Sequence, residues 1–77
     1  MHDIDTLADL AQGGVATVSA LISSGGIRRR LQDIGLIPGT KVECIQKSPL
    51  GDPSAYLIRG AVIALRSEDS SNILILR

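Results

Sequence analysis

The residues that could bind a transition metal are few and spread along the chain. Such sites need clustered imidazole, thiolate or carboxylate groups, and neither a Glu-x-x-His nor a Cys-x-x-Cys motif occurs. His2 with Asp3 and Asp5 could bind metal only loosely, because we expect this terminal segment to be mobile. Cys44 shares a strand face with Val42, which indicates a small buried side chain. We therefore predict no metal site among the candidates, which are His2, Asp3, Asp5, Asp9, Cys44, Asp52, Glu68 and Asp69.

Catalytic groups are also missing from the pattern. The single histidine is terminal and the serines lie in turns, so no nucleophile is paired with a base. Gly25-Gly26 lacks the following Lys and Ser/Thr of a phosphate-binding P-loop. We predict that the chain is not an enzyme and carries no cofactor.

Three consecutive arginines, Arg28 to Arg30, raise the question of nucleic-acid binding. The chain has 8 Lys plus Arg and 8 Asp plus Glu, so its net charge is zero, whereas nucleic-acid binders carry a basic excess. One Tyr, with no Phe or Trp, leaves no aromatic platform for bases. On a helix, Arg29 points away from the apolar face, and Arg28 and Arg30 flank it. The pattern predicts a solvated helix face or the rim of a protein-docking surface, and no nucleic-acid partner.

No segment indicates export or membrane insertion. The apolar runs are only a few residues long, far short of the ~20 residues of a membrane helix. MHDIDTLADL is acidic and lacks the basic and apolar regions of a signal peptide. A single cysteine excludes an internal disulfide. We predict a cytoplasmic location and no direct membrane insertion.

One helix is predicted between the first two of five short strands. Ile27, Leu31 and Ile34 follow the i, i+4, i+7 spacing of one helix face. Gly35 fits a left-handed C-cap, and Pro38-Gly39 fits a type II turn. The predicted helix spans residues 27–34, and the predicted strands span 15–22, 40–47, 55–59, 61–66 and 72–76.

These elements predict one small domain, residues 1–77. Small all-β domains hide their sheet edges by curling into a barrel. We therefore predict a mainly β, SH3-like barrel with one short α-helix inserted after the first strand. An OB-type barrel is the alternative.

Several motifs occur together in the order found in one known family. RRRLQDIGLIPGT is followed by VECIQKSPLGDPSAYLIRGAVIALRSEDSSNI. An Arg-rich helix ends in Leu-x-x-x-Gly-Leu, and Pro-Gly-Thr, Pro-Leu-Gly-Asp-Pro, Gly60 and an acidic turn come after it. Each piece alone is common, but their order and spacing are specific. In these motifs the chain resembles the ferrous iron transport protein A family (FeoA-like), and the resemblance extends from about Leu7 to Leu76.

The resemblance implies a small, non-enzymatic cytoplasmic protein with an SH3-like barrel that supports or regulates ferrous iron uptake. The partner it implies is the membrane ferrous iron permease, whose cytoplasmic part is a GTP-binding domain. Two alternatives stay open. One is a metal-binding sensor or chaperone, and the other is an SH3-like partner domain of a metal-dependent transcriptional repressor.

We expect a partner to contact the helix, the turn that follows it and the loop at residues 49–53. An apolar surface rimmed by charges is a usual docking site. Apolar residues on turns need either core packing or a partner. Leu31 serves equally well as a core residue, and Asp52 is expected to bond backbone N–H groups. Barrel edges also permit a homo-oligomer. The predicted partner-binding residues are Arg28, Arg30, Leu31, Leu36, Ile37 and Leu50.

Overall fold

A computed structural model describes residues 5–50 and 52–76 and shows a mainly β fold. Its strands are β1 (Asp5–Thr6), β2 (Val15–Leu21), β3 (Lys41–Gln46), β4 (Ser54–Ile58), β5 (Ala61–Leu65) and β6 (Ile73–Leu76). Helix α1 spans Gly25–Ile34, the one-turn helix α2 spans Ser67–Ser70, and a 3-10 turn occupies Leu7–Asp9. The strands form one antiparallel sheet in the order β1-β6-β2-β3-β4-β5.

The position of the helix in the chain corrects one detail of the prediction. The helix follows the second strand rather than the first, because Asp5–Thr6 forms an additional strand that pairs with β6. Two residues are too few to show an alternating pattern. The pairing with Leu74 and Ile75, at the other end of the chain, is what makes this segment a strand.

The strand registers direct one set of side chains into a single core. Val42 lies opposite Ala16 on β2 and Ile58 on β4, and all three are buried. Pairing shifts occur within β2 and β3, and such bulges bend a strand, so the sheet curls around its inner face. The buried apolar residues are Leu7, Leu10, Ala16, Val18, Leu21, Leu31, Leu36, Val42, Cys44, Tyr56, Ile58, Leu65, Ile73 and Ile75.

The helix ends in the left-handed cap that the sequence predicts. Gly35 has φ 112° and ψ 12°, and its N–H donates to the carbonyl of Gln32 at 3.0 Å. The Leu36 N–H donates to the carbonyl of Leu31, also at 3.0 Å. This pair of bonds is a Schellman motif, in which the residue after the glycine packs against the last helical turn. Leu31 and Leu36 are both fully buried, so the cap is also a core contact.

Replacing Gly35 with alanine should lower the free energy of unfolding by about 1–2 kcal/mol, because a side chain is strained in a left-handed conformation. A Cβ there would also lie 2.6 Å from Cδ of Arg59. Gly39→Ala is the matched control, since Gly39 has φ 93° but no atom within 4 Å of an added Cβ. Urea unfolding should rank Gly35→Ala below Gly39→Ala and both below wild type, and wild-type stability of Gly35→Ala would contradict the cap.

Two ionisable side chains lie in the core, as predicted for Cys44. Burial raises the pKa of the Cys44 thiol above its ordinary value of 9.0. Burial likewise raises the pKa of Tyr56 above 10.0, while hydrogen bonding with Ser70 and Ser54 lowers it in part. Both groups therefore keep their protons more firmly in the folded state than in the unfolded chain.

The contribution of these two groups to stability should consequently be constant around neutral pH and fall as the pH rises past about 9, because the unfolded chain then loses protons that the folded state retains. The slope should not exceed ~1.4 kcal/mol per pH unit for each group. Urea unfolding measured from neutral to alkaline pH tests this. In Cys44→Val only Tyr56 remains to cause the decline, which should therefore begin at a higher pH. Stability that does not change with alkaline pH in wild type would refute the prediction.

Candidate functional site

Helix α1 contacts the barrel through a narrow apolar stripe. Leu31 is fully buried and Ile34 packs partly against the core. Ile27 shares their face by spacing but remains 45% exposed. The rest of the helix faces solvent, so its outer side is open to a partner.

Two of the three arginines hold the helix in place. Arg28 Nη1 donates to the carbonyl of Leu21, at the end of β2, at 3.2 Å. Arg30 forms an ion pair with Asp69 of α2. Asp69 is only 6% exposed. Arg30 itself keeps 58% of its side-chain surface exposed. These two arginines flank the apolar stripe, as the sequence predicts, and Arg29 is exposed.

The turn between α1 and β3 is fixed by backbone hydrogen bonds. The Thr40 N–H donates to the carbonyl of Ile37 at 3.1 Å, which closes the predicted Pro38-Gly39 turn. Gly39 donates to the carbonyl of Val18, and the Val18 N–H donates to the carbonyl of Thr40, both at 2.8 Å. The turn is thus tied to strand β2, and Ile37 is held on its surface with 41% exposed.

A groove of about 610 Å³ opens beside this turn. Its apolar residues are Ile37 and Pro38 on the turn and Leu57 on β4. Lys41 and Glu43 contribute charge from β3, where they alternate with buried Val42 and Cys44 and therefore point outward. We name this feature the turn groove, and it is lined by Ile37, Pro38, Gly39, Thr40, Lys41, Glu43, Leu57, Arg59 and Gly60.

Arg59 connects the turn groove to the end of the helix. It occupies the two-residue turn between β4 and β5 with φ 52°, and its Cδ lies against Gly35. A cation beside the carboxyl end of a helix interacts favourably with the helix dipole. The Arg59 side chain therefore bridges the β4–β5 turn and the cap of α1.

A second, smaller groove of about 240 Å³ lies between the end of β3 and the start of β4. Pro49, Pro53 and Ala55 line it, and Leu50 follows Pro49 with 92% of its surface exposed. Ala55 and Leu57 point to the same side of β4, so the two grooves follow one another along that strand. The side chain of Asp52 accepts a hydrogen bond at 2.6 Å from the N–H of Ser67, the first residue of α2, as expected of a backbone-binding carboxylate.

The six predicted partner-binding residues fall into two groups. Leu31 and Leu36 are fully buried and have no surface that a partner could contact, because the Schellman cap turns both into the core. Arg28, Arg30, Ile37 and Leu50 are exposed. Ile37 is the one member that lines the turn groove.

The remaining groove residues were missed by the sequence reasoning. Alternation along β3 carries a signal for Lys41 and Glu43, because their neighbours Val42 and Cys44 are apolar. No local signal exists for Leu57 and Arg59, which reach the groove through the pairing of β3 with β4.

Metal ligands do not cluster in the part of the chain that the structure describes. Within residues 5–50 and 52–76, no three His, Cys, Asp or Glu side chains are grouped to hold a metal ion. His2 and Asp3 lie outside these described residues. Over the same ranges, no helix combines the length and apolar character needed to cross a membrane.

Comparison with known protein families assigns the chain. The FeoA domain profile matches residues 6–77. The chain belongs to the FeoA domain family. This confirms the resemblance to the ferrous iron transport protein A family, and the groove described above is therefore a feature of a FeoA domain.

A curated relative joins FeoA to a transporter. It is the Fe(2+) transport protein A/Fe(2+) transporter FeoB fusion protein of Porphyromonas gingivalis (strain ATCC BAA-308 / W83). Our FeoA chain is 31% identical to it over 67 residues, which are 87% of this chain and 8% of the fusion protein. The chain thus spans a small part of that relative. The fusion associates the family with ferrous iron transport.

Solved FeoA structures share the fold. The FeoA-like protein of Clostridium acetobutylicum superposes with a TM-score of 0.89 at 28% identity, covering 99% of this chain and 88% of that one. The FeoA of Stenotrophomonas maltophilia, an SH3 domain protein solved with zinc, gives 0.83 at 25% identity, covering 92% and 88%. The predicted SH3-like fold is therefore confirmed.

Removing the Arg30 side chain should destabilise the domain through the helix that it holds. Arg30→Ala leaves the nearly buried Asp69 carboxylate unpaired, so we expect the free energy of unfolding to fall by about 1–3 kcal/mol. Arg29→Ala removes an equal charge from an exposed position and should change stability by less than about 0.5 kcal/mol. Equal urea midpoints for the two variants would show that the Arg30–Asp69 pair contributes nothing.

Proposed function

We propose that this FeoA chain is a non-enzymatic, cytoplasmic accessory protein of ferrous iron uptake that docks on the cytoplasmic GTP-binding part of the ferrous iron permease. The fusion of FeoA with FeoB in Porphyromonas gingivalis supports the choice of partner, because it holds the two units together in one chain. Two proteins that function together as separate chains need a docking surface instead.

The turn groove is the observation that carries the docking proposal. Its wall is built before any partner arrives, since backbone bonds tie the Pro38-Gly39 turn to Val18. A preformed surface loses little conformational freedom on binding, which favours affinity. Ile37 offers an apolar contact, and Lys41, Glu43 and Arg59 offer charges in the same lining. An apolar centre with a polar rim is the usual arrangement of a protein interface.

Leu50 extends the proposed surface along β4. Its almost complete exposure on a loop has no role in core packing, and it follows a residue of the smaller groove. Arg28 and Arg30 contribute at the helix side, where both remain exposed while holding α1. The proposed contacts of this protein are therefore Arg28, Arg30, Ile37 and Leu50, together with the charged rim.

A non-enzymatic role suits the chemistry of the groove lining. The described residues that line it include no His, Cys or Ser. Thr40 is the single hydroxyl residue in the lining, and its backbone N–H already closes the turn. Recognition by shape and charge is the role that this set of side chains favours.

Calorimetric titration of the protein into the GTP-binding domain of its cognate permease, with and without nucleotide, tests the proposal. Wild type should bind saturably. Ile37→Ala should weaken binding roughly tenfold, because buried apolar anchors carry much of an interface's energy. Ile45→Ala is the matched control: Ile45 is 39% exposed and Ile37 41%, but Ile45 lies outside both groove linings.

The two variants separate the possible outcomes. If Ile37→Ala and Ile45→Ala weaken binding equally, or if neither weakens it, the interface lies away from the turn groove. No binding of wild type at millimolar concentration would refute docking on the GTP-binding domain. Circular dichroism of each variant excludes unfolding as the cause of any loss.

A further inference from the structure

Strand β5 ends the sheet with an unusually apolar edge. Its five residues are Ala61-Val62-Ile63-Ala64-Leu65, with no charge, no proline and no polar side chain. Among the described strands, β4 is its neighbour and no strand lies on its other side. Val62 is 65% exposed, and Ala61 and Ala64 are exposed as well.

The opposite edge of the same sheet is built differently. Within the described residues, strand β1 has two residues and carries a charge at Asp5. An edge strand is usually protected against pairing with another chain by short length, charged side chains, proline or bulges. Strand β5 has none of these, and its pairing with β4 runs without interruption from Ala61 to Leu65. This edge is therefore shaped to accept another strand.

The hairpin geometry shows which backbone groups face outward. The turn between β4 and β5 has two residues, Arg59 and Gly60, with φ of 52° and 86°, as in a type I′ turn. The pair that closes such a hairpin, Ile58 and Ala61, exchanges hydrogen bonds, and bonded and non-bonded pairs then alternate. The N–H and C=O groups of Ala61, Ile63 and Leu65 thus point to β4.

The remaining two residues of the strand have no such partner on β4. By the same alternation, Val62 and Ala64 direct both backbone groups away from the sheet. They are two residues apart, which is the spacing at which a new antiparallel strand makes its paired hydrogen bonds.

We propose that β5 pairs antiparallel with β5 of a second copy of this chain, in the register that places Ile63 opposite the partner's Ile63. In this register Val62 lies opposite the partner's Ala64, and Ala64 lies opposite the partner's Val62. Each of these pairs exchanges two N–H···O bonds, so the outward groups of both strands are satisfied. The inference does not depend on docking to the permease.

The side chains favour a second copy as the occupant. Like charges directly opposite one another destabilise a pair of strands. Here all five residues pair with uncharged residues, so this repulsion does not arise. Arg66, the first charge after the strand, lies opposite the partner's Gly60, which has no side chain. Val62 meets the partner's Val62 diagonally, at a distance that side chains of neighbouring strands can span. The exposed valine thereby becomes covered.

The small length of the strand sets the strength of the dimer. A pair of five-residue strands buries less than the roughly 800 Å² per partner of a standard interface. We expect a weak, reversible dimer with a dissociation constant between about 1 μM and about 1 mM. It should therefore form as concentration rises through this range.

Amide hydrogen exchange measured by NMR at low and high protein concentration tests the register directly. The Val62 and Ala64 amides should exchange at least about tenfold more slowly at high concentration. The Ala61, Ile63 and Leu65 amides, which bond to β4 in monomer and dimer alike, are internal controls and should change little. Sedimentation velocity on the same samples gives the oligomeric state.

Two variants test the edge by different means. Ala64→Pro removes one outward N–H and places proline where edge strands tolerate it. Val62→Lys puts like charges on both sides of the two-fold axis without touching the core. Val15→Lys is the control, because Val15 is 44% exposed and lies on an interior strand. Val15 pairs with Glu43, Glu43 with Leu57 and Leu57 with Val62, so Val15 and Val62 are on the same face of the sheet.

Both edge variants should remain monomeric at concentrations where wild type and Val15→Lys dimerise. A wild type that stays monomeric at millimolar concentration, with Val62 and Ala64 amides unprotected, would overturn the proposal. A dimer that survives Ala64→Pro or Val62→Lys would overturn it as well, because the contact would then lie elsewhere. If Ala64→Pro fails to fold, Val62→Lys decides alone.

Discussion

The burial of Leu36 immediately after a left-handed glycine is the constraint on which the candidate docking surface depends. Gly35 reverses the chain at the end of α1, and Leu36 enters the core beside Leu31. Burying a leucine side chain contributes about 1.5–3 kcal/mol, enough to fix the path of a short turn. With Leu36 held inside, the following residue, Ile37, emerges on the surface. The groove thus begins at a position set by the core.

The same glycine also determines how the opposite wall approaches. Arg59 lies so close to Gly35 that any side chain there would displace it. The end of the helix and the β4–β5 turn consequently pack as one unit, although residues 35 and 59 are far apart in sequence. The backbone bonds between Val18 and the Pro38-Gly39 turn complete this unit from a third strand. An added side chain at Gly35 would disturb this unit, whereas an added Cβ at Gly39 meets no atom within 4 Å.

The sequence allowed prediction of features determined by neighbouring residues. The strands, the helix and both turn glycines follow from alternation, spacing and backbone preference, and Cys44 was correctly predicted to be buried. The two-residue strand β1 was not predicted, because only its pairing with β6 defines it. Leu31 and Leu36 were predicted as partner contacts, with core packing left open for Leu31, because neither helix spacing nor a turn position reveals how deeply a leucine packs. Arg59 and Leu57 reach the groove through strand register, which no local pattern encodes.

Binding at a sheet face and pairing at a sheet edge use perpendicular directions, so the two proposed surfaces of this protein are compatible. The turn groove takes Lys41, Glu43 and Leu57 from one face of β3 and β4, whereas the outward groups of β5 lie within the plane of the sheet. Residues paired across antiparallel strands share a face, so a dimer joined at β5 carries both turn grooves on the same face of one continuous sheet. Two linked grooves convert a second binding event into an intramolecular one. Weak docking by each groove would then suffice for firm attachment to a partner that is itself present in two copies.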